Sequence, residues 1–210
     1  MNHLYCYKMP WDTGFAPNPH YGMLTLATCK PTIRRCAKVG DWISGWAAKI
    51  VHDNDGNTHI FKDGGHLIFL AKISKKVTFG EYWQNYPQKR PKKIINGKAI
   101  VSVKNCSMGC SKIEILFDVG DNIYEPRNDG EFIQHENNYH GDGDKIHDLS
   151  GKYVLICDEF YYFGVNNAIK IEYDVFPYVV PRCKKIALDK PSDFINYIKE
   201  KYVIGINNGL

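Results

Sequence analysis

Cys29 is the side chain in this sequence best suited to act as a nucleophile. It lies in the run Thr25-Leu26-Ala27-Thr28-Cys29-Lys30-Pro31, where a short apolar strand over residues 23–27 gives way to a predicted helix over residues 29–38. Thr28 reads as the helix cap, and Pro31 is tolerated because it falls in the first turn. A cysteine at a helix N-terminus beside a lysine sits in surroundings that favour thiolate. The competing reading is a small buried apolar group, the commoner fate of a free cysteine. Asp121, His140 and Asp158 are the acid–base groups that could serve such a thiol, and Asp121 is the catalytic partner expected here. The sequence does not say which of them converge.

A second set of residues points to anions and bases. Thr28, Lys30, Arg34 and Arg35 cluster at the start of the predicted helix, and Lys89 and Arg90 open the most basic run, Pro87-Gln88-Lys89-Arg90-Pro91-Lys92-Lys93. Such residues contact phosphates and give affinity without sequence information. Trp42 and Tyr162 could stack on a base. Asn18 and His20 lie in the loop 10–22, stiffened by three prolines. Asn18, His20, Cys29, Trp42 and Asp121 are expected to share one concave site, with Asn18 and Asp121 reading a base edge. The bland alternative makes Trp42 core, Asp121 a hairpin end and the basic run a solvated face.

Several chemistries lack their signatures. The chain has no P-loop, no G-x-G-x-x-G after a strand, no G-x-S-x-G elbow and no H-E-x-x-H. Asp53-Asn54-Asp55-Gly56-Asn57 resembles the start of a calcium loop, but its twelfth position is Gly64, so it reads as a polar hairpin tip. Cys106 and Cys110 have no second ligand pair, and His135, His140 and His147 read as a solvated loop. No metal and no cofactor are expected.

The elements that must position these residues are short. Strands are predicted over residues 4–9, 23–27, 42–46, 66–74, 99–103, 112–117, 153–157, 160–164 and 168–173. Leu67-Ile68-Phe69-Leu70-Ala71 is apolar on both faces, as in a buried sheet or barrel strand. Thr78-Phe79-Gly80-Glu81 is a capping box whose helix carries an aromatic stripe of Phe79, Tyr82, Trp83 and Tyr86. Residues 125–151 read as a polar, glycine-rich loop, and a last helix follows Pro191 with Ser192 as cap. This pattern predicts an α+β fold in one domain over 1–210, with a curled, mostly antiparallel sheet or barrel and helices at its edge.

Composition bounds the partners. Of 210 residues, 27 are Lys or Arg and 23 Asp or Glu, a net charge of +4 that permits a local basic patch but not a histone-like binder. The seven cysteines cannot all pair internally. The start lacks a secretory pattern and no run is long and apolar enough to span a membrane. Reduced thiols, a cytoplasmic location and no membrane partner are the expectation.

Taken in order, several segments resemble the nucleotide modification associated domain 2 family. They are Gly14-Phe15-Ala16-Pro17-Asn18-Pro19, the Thr25–Pro31 run with Ile33-Arg34-Arg35, Val39-Gly40-Asp41-Trp42, Phe79-Gly80-Glu81-Tyr82-Trp83, Lys89-Arg90-Pro91, Gly120-Asp121-Asn122-Ile123-Tyr124 and Phe160-Tyr161-Tyr162-Phe163-Gly164. The resemblance covers roughly residues 4–173 and departs from the family's pattern at an insertion near 52–65 and after 173. It implies a link to genes that make or process modified DNA bases, with no established reaction. A looser similarity of residues 38–86 to the opening of PUA-like domains, of the EVE and ASCH types, implies a curled sheet with an aromatic base pocket. The expected partner is therefore nucleic acid or a modified nucleotide. The expected function is binding or processing of modified nucleotides or bases, with an enzyme acting on a base modification, or an adaptor in a modification or phage-defence system, as alternatives.

Overall fold

A computed structural model describes residues 2–94, 117–176, 180, 183–188 and 193–207. The chain opens with strand β1 (Asn2–Asp12), strand β2 (Leu24–Leu26), helix α1 (Pro31–Cys36) and the long strand β3 (Trp42–Asp53). Strands β4 (Thr58–Ile60), β5 (His66–Lys72) and β6 (Lys75–Thr78) lead to helix α2 (Phe79–Asn85). Beyond residue 117 come β7 (Tyr124–Pro126), β8 (Phe132–Gln134), helix α3 (Lys145–Leu149), β9 (Tyr153–Cys157), β10 (Glu159–Tyr162) and β11 (Ile169–Lys170). Strand β12 (Cys183–Leu188), helix α4 (Asp193–Lys201) and β13 (Gly205–Ile206) complete it. The strand predicted over 99–103, most of that over 112–117, the Ser192 cap, Cys106 and Cys110 lie outside the described residues. Among the described residues no helix is long and apolar enough to cross a membrane, and Cys6, Cys29, Cys36, Cys157 and Cys183 are free thiols.

The main sheet is open, which corrects the expectation of a curled, PUA-like sheet or barrel. Its path runs β12-β1-β3-β5-β10-β13, with β4 added to β3 and β11 to β5, and its two ends do not meet among the described residues. The pairing is mixed: β1 runs parallel to β3 and β10 parallel to β13, while the other pairs are antiparallel. The misleading signal was the doubly apolar β5. It is apolar on both sides because each face of an open sheet is covered. Phe69 and Ala71 join a core beneath β2, β9 and α1, whereas Leu67 and Leu70 join a second core with Phe194, Ile195 and Ile198 of α4.

A small antiparallel sheet, β2-β9-β6, forms the next layer. Strand β9 alternates between layers: Leu155 and Cys157 face the main sheet, and Val154 and Ile156 face a third core with Phe15, Phe79, Tyr82 and Tyr124. The capping box of α2 makes both of its hydrogen bonds, and Phe79 and Tyr82 are buried. Parallel strands need a crossover. The one from β1 to β3 contains β2, α1 and the turn bearing Cys29, so the sheet's own topology projects that turn from the layer between the sheets.

Pro10 cannot donate to a ladder, and the β1–β3 register shifts there, between Met9 and Trp11. Gly45, central in β3, marks the tightest packing. A Cβ there would lie 2.2 Å from Met9 Sδ and 2.3 Å from Phe69 Cε1. Gly45→Ala is therefore expected to destabilise the protein by about 1–3 kcal/mol, read as a lower urea midpoint; an unchanged midpoint would mean that Met9 and Phe69 move aside freely.

Candidate functional site

The turn between β2 and α1 holds two consecutive non-glycine residues in the left-handed region, Cys29 at φ 55° and Lys30 at φ 39°. Strained backbone of this kind costs free energy and persists only where the surroundings impose it. As a result α1 starts at Pro31, later than the 29–38 helix expected, and its N-cap is Lys30 with no side-chain cap. Thr28 is not the cap. Its hydroxyl is buried and has no hydrogen-bond partner among the described residues.

What imposes the turn is Asp148 of α3. Its carboxylate is completely buried and accepts three hydrogen bonds: at Oδ1 from the Cys29 backbone N–H (2.7 Å), and at Oδ2 from Tyr124 Oη (2.8 Å) and His140 Nδ1 (2.6 Å). The other ring nitrogen, His140 Nε2, lies 3.5 Å from Cys29 Sγ. Thiol, imidazole and carboxylate thus form a continuous array from three separate segments. The His140 backbone is fixed as well, since its N–H donates to Asn137 Oδ1 and its carbonyl accepts from Gln134 and Asn137.

Electrostatics follow from this geometry. Burial would lower the His140 pKa, but the hydrogen bonds to Asp148 and Cys29 and the charge of Asp148 overcome it and raise it to about 10. Burial would raise the Asp148 pKa, but His140, the Cys29 N–H and the Tyr124 hydroxyl hold it below the ordinary value.

Arg34 braces the array from within. It is fully buried and donates to three carbonyls, Cys29 (2.7 Å), Tyr153 (2.8 Å) and Asp148 (2.5 Å). Gly151 makes room for it, because a Cβ there would meet the guanidinium at 2.5 Å. Arg34, expected to contact phosphates, is therefore a core residue whose guanidinium is not at the surface. Arg35 is exposed and reaches the Ser150 carbonyl; Lys30 is half-buried with its ammonium 4.7 Å from the Tyr7 ring centroid.

The remaining predicted site residues lie elsewhere. Lys89 is fully buried, donates to the Asn18 carbonyl, Asn18 Oδ1 and the Met23 carbonyl, and has its pKa lowered to about 8 by burial, partly opposed by Asp121. Asp121 is buried and accepts from Thr25 Oγ1 (2.6 Å) and Tyr82 Oη (2.7 Å). Asn18, besides receiving Lys89, donates to the Val119 carbonyl. Asn18, Lys89, Asp121, Thr25 and Tyr82 form one internal polar network that ties the proline loop to α2. His20 flanks it, half-buried. Arg90 lies over the Trp83 ring at 3.9 Å. Trp42 packs in the α4-side core, on the opposite face of the main sheet from α1, and Tyr162 is core with its hydroxyl on Asp12. Asp158 is exposed at the β9–β10 turn. The five residues expected to converge are thus divided: Cys29 joins His140, Asn18 and Asp121 share the internal network with His20 beside it, and Trp42 is remote.

Sequence reasoning named His140 without joining it to Cys29, and missed Asp148, Tyr124 and the bracing role of Arg34. The usable signal was the strand-to-helix turn around Cys29, the setting in which hydrolase nucleophiles are commonly held. A cavity of about 390 Å³ opens onto the array, lined by Cys29 and His140 together with Trp11, Thr13, Phe15, Asn138 and Tyr139. His135 instead pairs with Glu125, and among the described residues no group of three or more His, Cys, Asp or Glu is arranged to hold a metal ion.

A family model described as nucleotide modification associated domain 2 matches residues 1–203. No curated protein and no solved structure matches the chain.

The raised His140 pKa carries a stability consequence with a definite sign. Folding favours the imidazolium, so its contribution is complete below the unfolded value of about 6.5 and is lost as pH rises through about 10. The stability difference between the wild type and His140→Ala, from urea unfolding at pH 5.5 to 10.5, is expected to shrink steadily above pH 6.5; a difference that grows with pH would contradict the pairing.

Proposed function

The chain belongs to the nucleotide modification associated domain 2 family, and we propose that within it this protein is a cysteine-dependent hydrolase or acyl transferase acting on a carbonyl-bearing modification of a nucleotide or nucleic-acid base. The observation that carries the reading is the contact of Cys29 Sγ with His140 Nε2 at 3.5 Å, backed by the 2.6 Å bond from His140 Nδ1 to Asp148. A nucleophile, a base within hydrogen-bond reach and a third group orienting that base constitute the general arrangement of covalent catalysis. The family's tie to nucleotide modification supplies the substrate class.

In the reaction, the proton of Cys29 Sγ passes to His140 Nε2 and the sulfur attacks the carbonyl carbon. An S–C bond forms and the carbonyl π electrons move to oxygen. On collapse the bond from carbon to the leaving nitrogen or oxygen breaks, and His140 Nε2 gives that atom its proton. A thioester on Cys29 remains. Water, or an amine in a transferase, then attacks the thioester carbon and loses its proton to His140 as the C–S bond breaks. The cycle needs no electron donor or acceptor. Asp148 keeps Nε2 directed at sulfur and stabilises the imidazolium without itself becoming protonated. Because it also holds the Cys29 N–H, one carboxylate sets the positions of both reacting groups.

p-Nitrophenyl acetate is a suitable generic acyl donor. Peptide mass spectrometry after brief exposure is expected to find the acetyl group on Cys29 ahead of the exposed Cys36 and Cys183. Cys29→Ala is expected to abolish p-nitrophenol turnover, and His140→Ala to slow it by about 100- to 10,000-fold. Equal acetylation of Cys29, Cys36 and Cys183, unaffected by His140→Ala, would overturn the proposal.

A further inference from the structure

Resting on that reading of the site, we propose that the cavity beside Cys29 receives the uncharged planar ring of the substrate, a nucleobase, stacked on Trp11, and that the β3–β4 hairpin tip sets this specificity.

Three observations support the choice of occupant. The first is the lining. Rings from Trp11, Phe15 and Tyr139 line the cavity, Thr13 and Asn138 supply polar groups, and no Lys, Arg, Asp or Glu contributes. A sugar phosphate finds no lysine or arginine there, whereas an uncharged heteroaromatic ring finds π surface and a few polar groups to orient it. The volume of about 390 Å³ is towards the lower end of small-molecule sites, a size suited to a base more than to an extended chain.

The second is the state of Trp11. An indole 60% exposed is unusual for the largest apolar side chain, yet Trp11 is held: its ring lies 4.6 Å from that of His52, tilted by 37°. The register shift after Pro10 pairs Trp11 with His52, and the following residue, Asp12, is anchored by the Tyr162 hydroxyl and the Val165 N–H. The indole is thus oriented in advance and still accessible, which lowers the entropic cost of stacking.

The third is the hairpin. Its tip, residues 53–57, is knotted by the buried Asp53, which accepts from the N–H groups of Asp55 and Asn57 and from the side chain of Asn57, and bonds His59. From this tip Asn54 Oδ1 accepts the Tyr139 hydroxyl at 3.0 Å, while His52 at the end of β3 carries Trp11. Tyr139 stacks in turn on Phe15, with centroids 4.6 Å apart at 21°, and Phe15 packs edge-on against His140. One hairpin therefore fixes two of the cavity's rings, and through Phe15 one of them, Tyr139, is continuous with the imidazole.

The test uses adenosine, cytidine and ribose 5-phosphate as probes, with two readouts. Saturation-transfer NMR reports contact with base protons, and carbamidomethylation of Cys29 by iodoacetamide reports occupancy beside the thiol. The nucleosides are expected to receive transfer at their base protons and to slow Cys29 labelling, while ribose 5-phosphate does neither. Trp11→Ala is expected to raise the nucleoside concentration for half-protection by about 5- to 150-fold, and Trp11→Phe, which keeps a ring and secures the test against misfolding, to raise it much less. Asn54→Ala should weaken protection in the same direction. Protection by ribose 5-phosphate equal to that by nucleosides, or a Trp11→Ala protein protected like the wild type, would overturn the proposal. Should Cys29 label no faster than Cys36, the catalytic reading fails on its own, and base-proton transfer that disappears in Trp11→Ala would still uphold the stacking site.

Discussion

A single buried carboxylate organises the region around Cys29 and His140. Asp148 has no exposure to solvent, and an uncompensated charge in that position would cost several kcal/mol. Three donors offset the cost, and each comes from a different part of the chain: the backbone of Cys29, the ring of His140 and the hydroxyl of Tyr124. The left-handed backbone at Cys29 and Lys30 follows from this, because the N–H must point at Oδ1 while the thiol points at the imidazole. Arg34 adds positive charge nearby and binds the carbonyls of both Cys29 and Asp148, so the turn and α3 are joined on their main chains as well.

The surrounding layers give this arrangement its rigidity. The crossover between parallel β1 and β3 delivers Cys29, and the segment after β7 delivers His140 and Asp148 onto the same layer of packing. A second polar network, around Lys89 and Asp121, holds the proline loop, which carries Phe15 into the third core and to the side of His140. The two networks have different chemistry. Around Lys89 and Asp121 every named donor and acceptor is enclosed by protein. Around Cys29 the array ends at a cavity, with the sulfur and one imidazole nitrogen at its edge.

Much of the local structure was legible in the sequence. The capping box at Thr78 and Glu81, the aromatic stripe of α2, the strand before Cys29 and the polar hairpin tip at 53–57 all depend on residues close in sequence. The closure of the sheet was not legible, because doubly apolar β5 looks the same whether it is wrapped in a barrel or covered by two layers. Residues 125–151 read as a polar loop since Gly, Asn, Asp and His dominate there, yet their polarity serves the site: Asn137, Gln134 and Asp148 each hydrogen-bond the His140 segment. Arg34 read as a surface cation for the same reason. Composition shows charge, and only the fold shows that three carbonyls and a glycine were waiting for it.

The spacing of Cys29 and His140, 111 residues apart, gives the thiol a history during synthesis. At translation speeds of about 5–20 residues per second, roughly 6–22 s separate the appearance of Cys29 from that of His140. Throughout that interval Cys29 lacks its contacts with His140 and Asp148. That contact arrives late, with the docking of α3, and so the nascent chain carries the thiol apart from the imidazole that will face it.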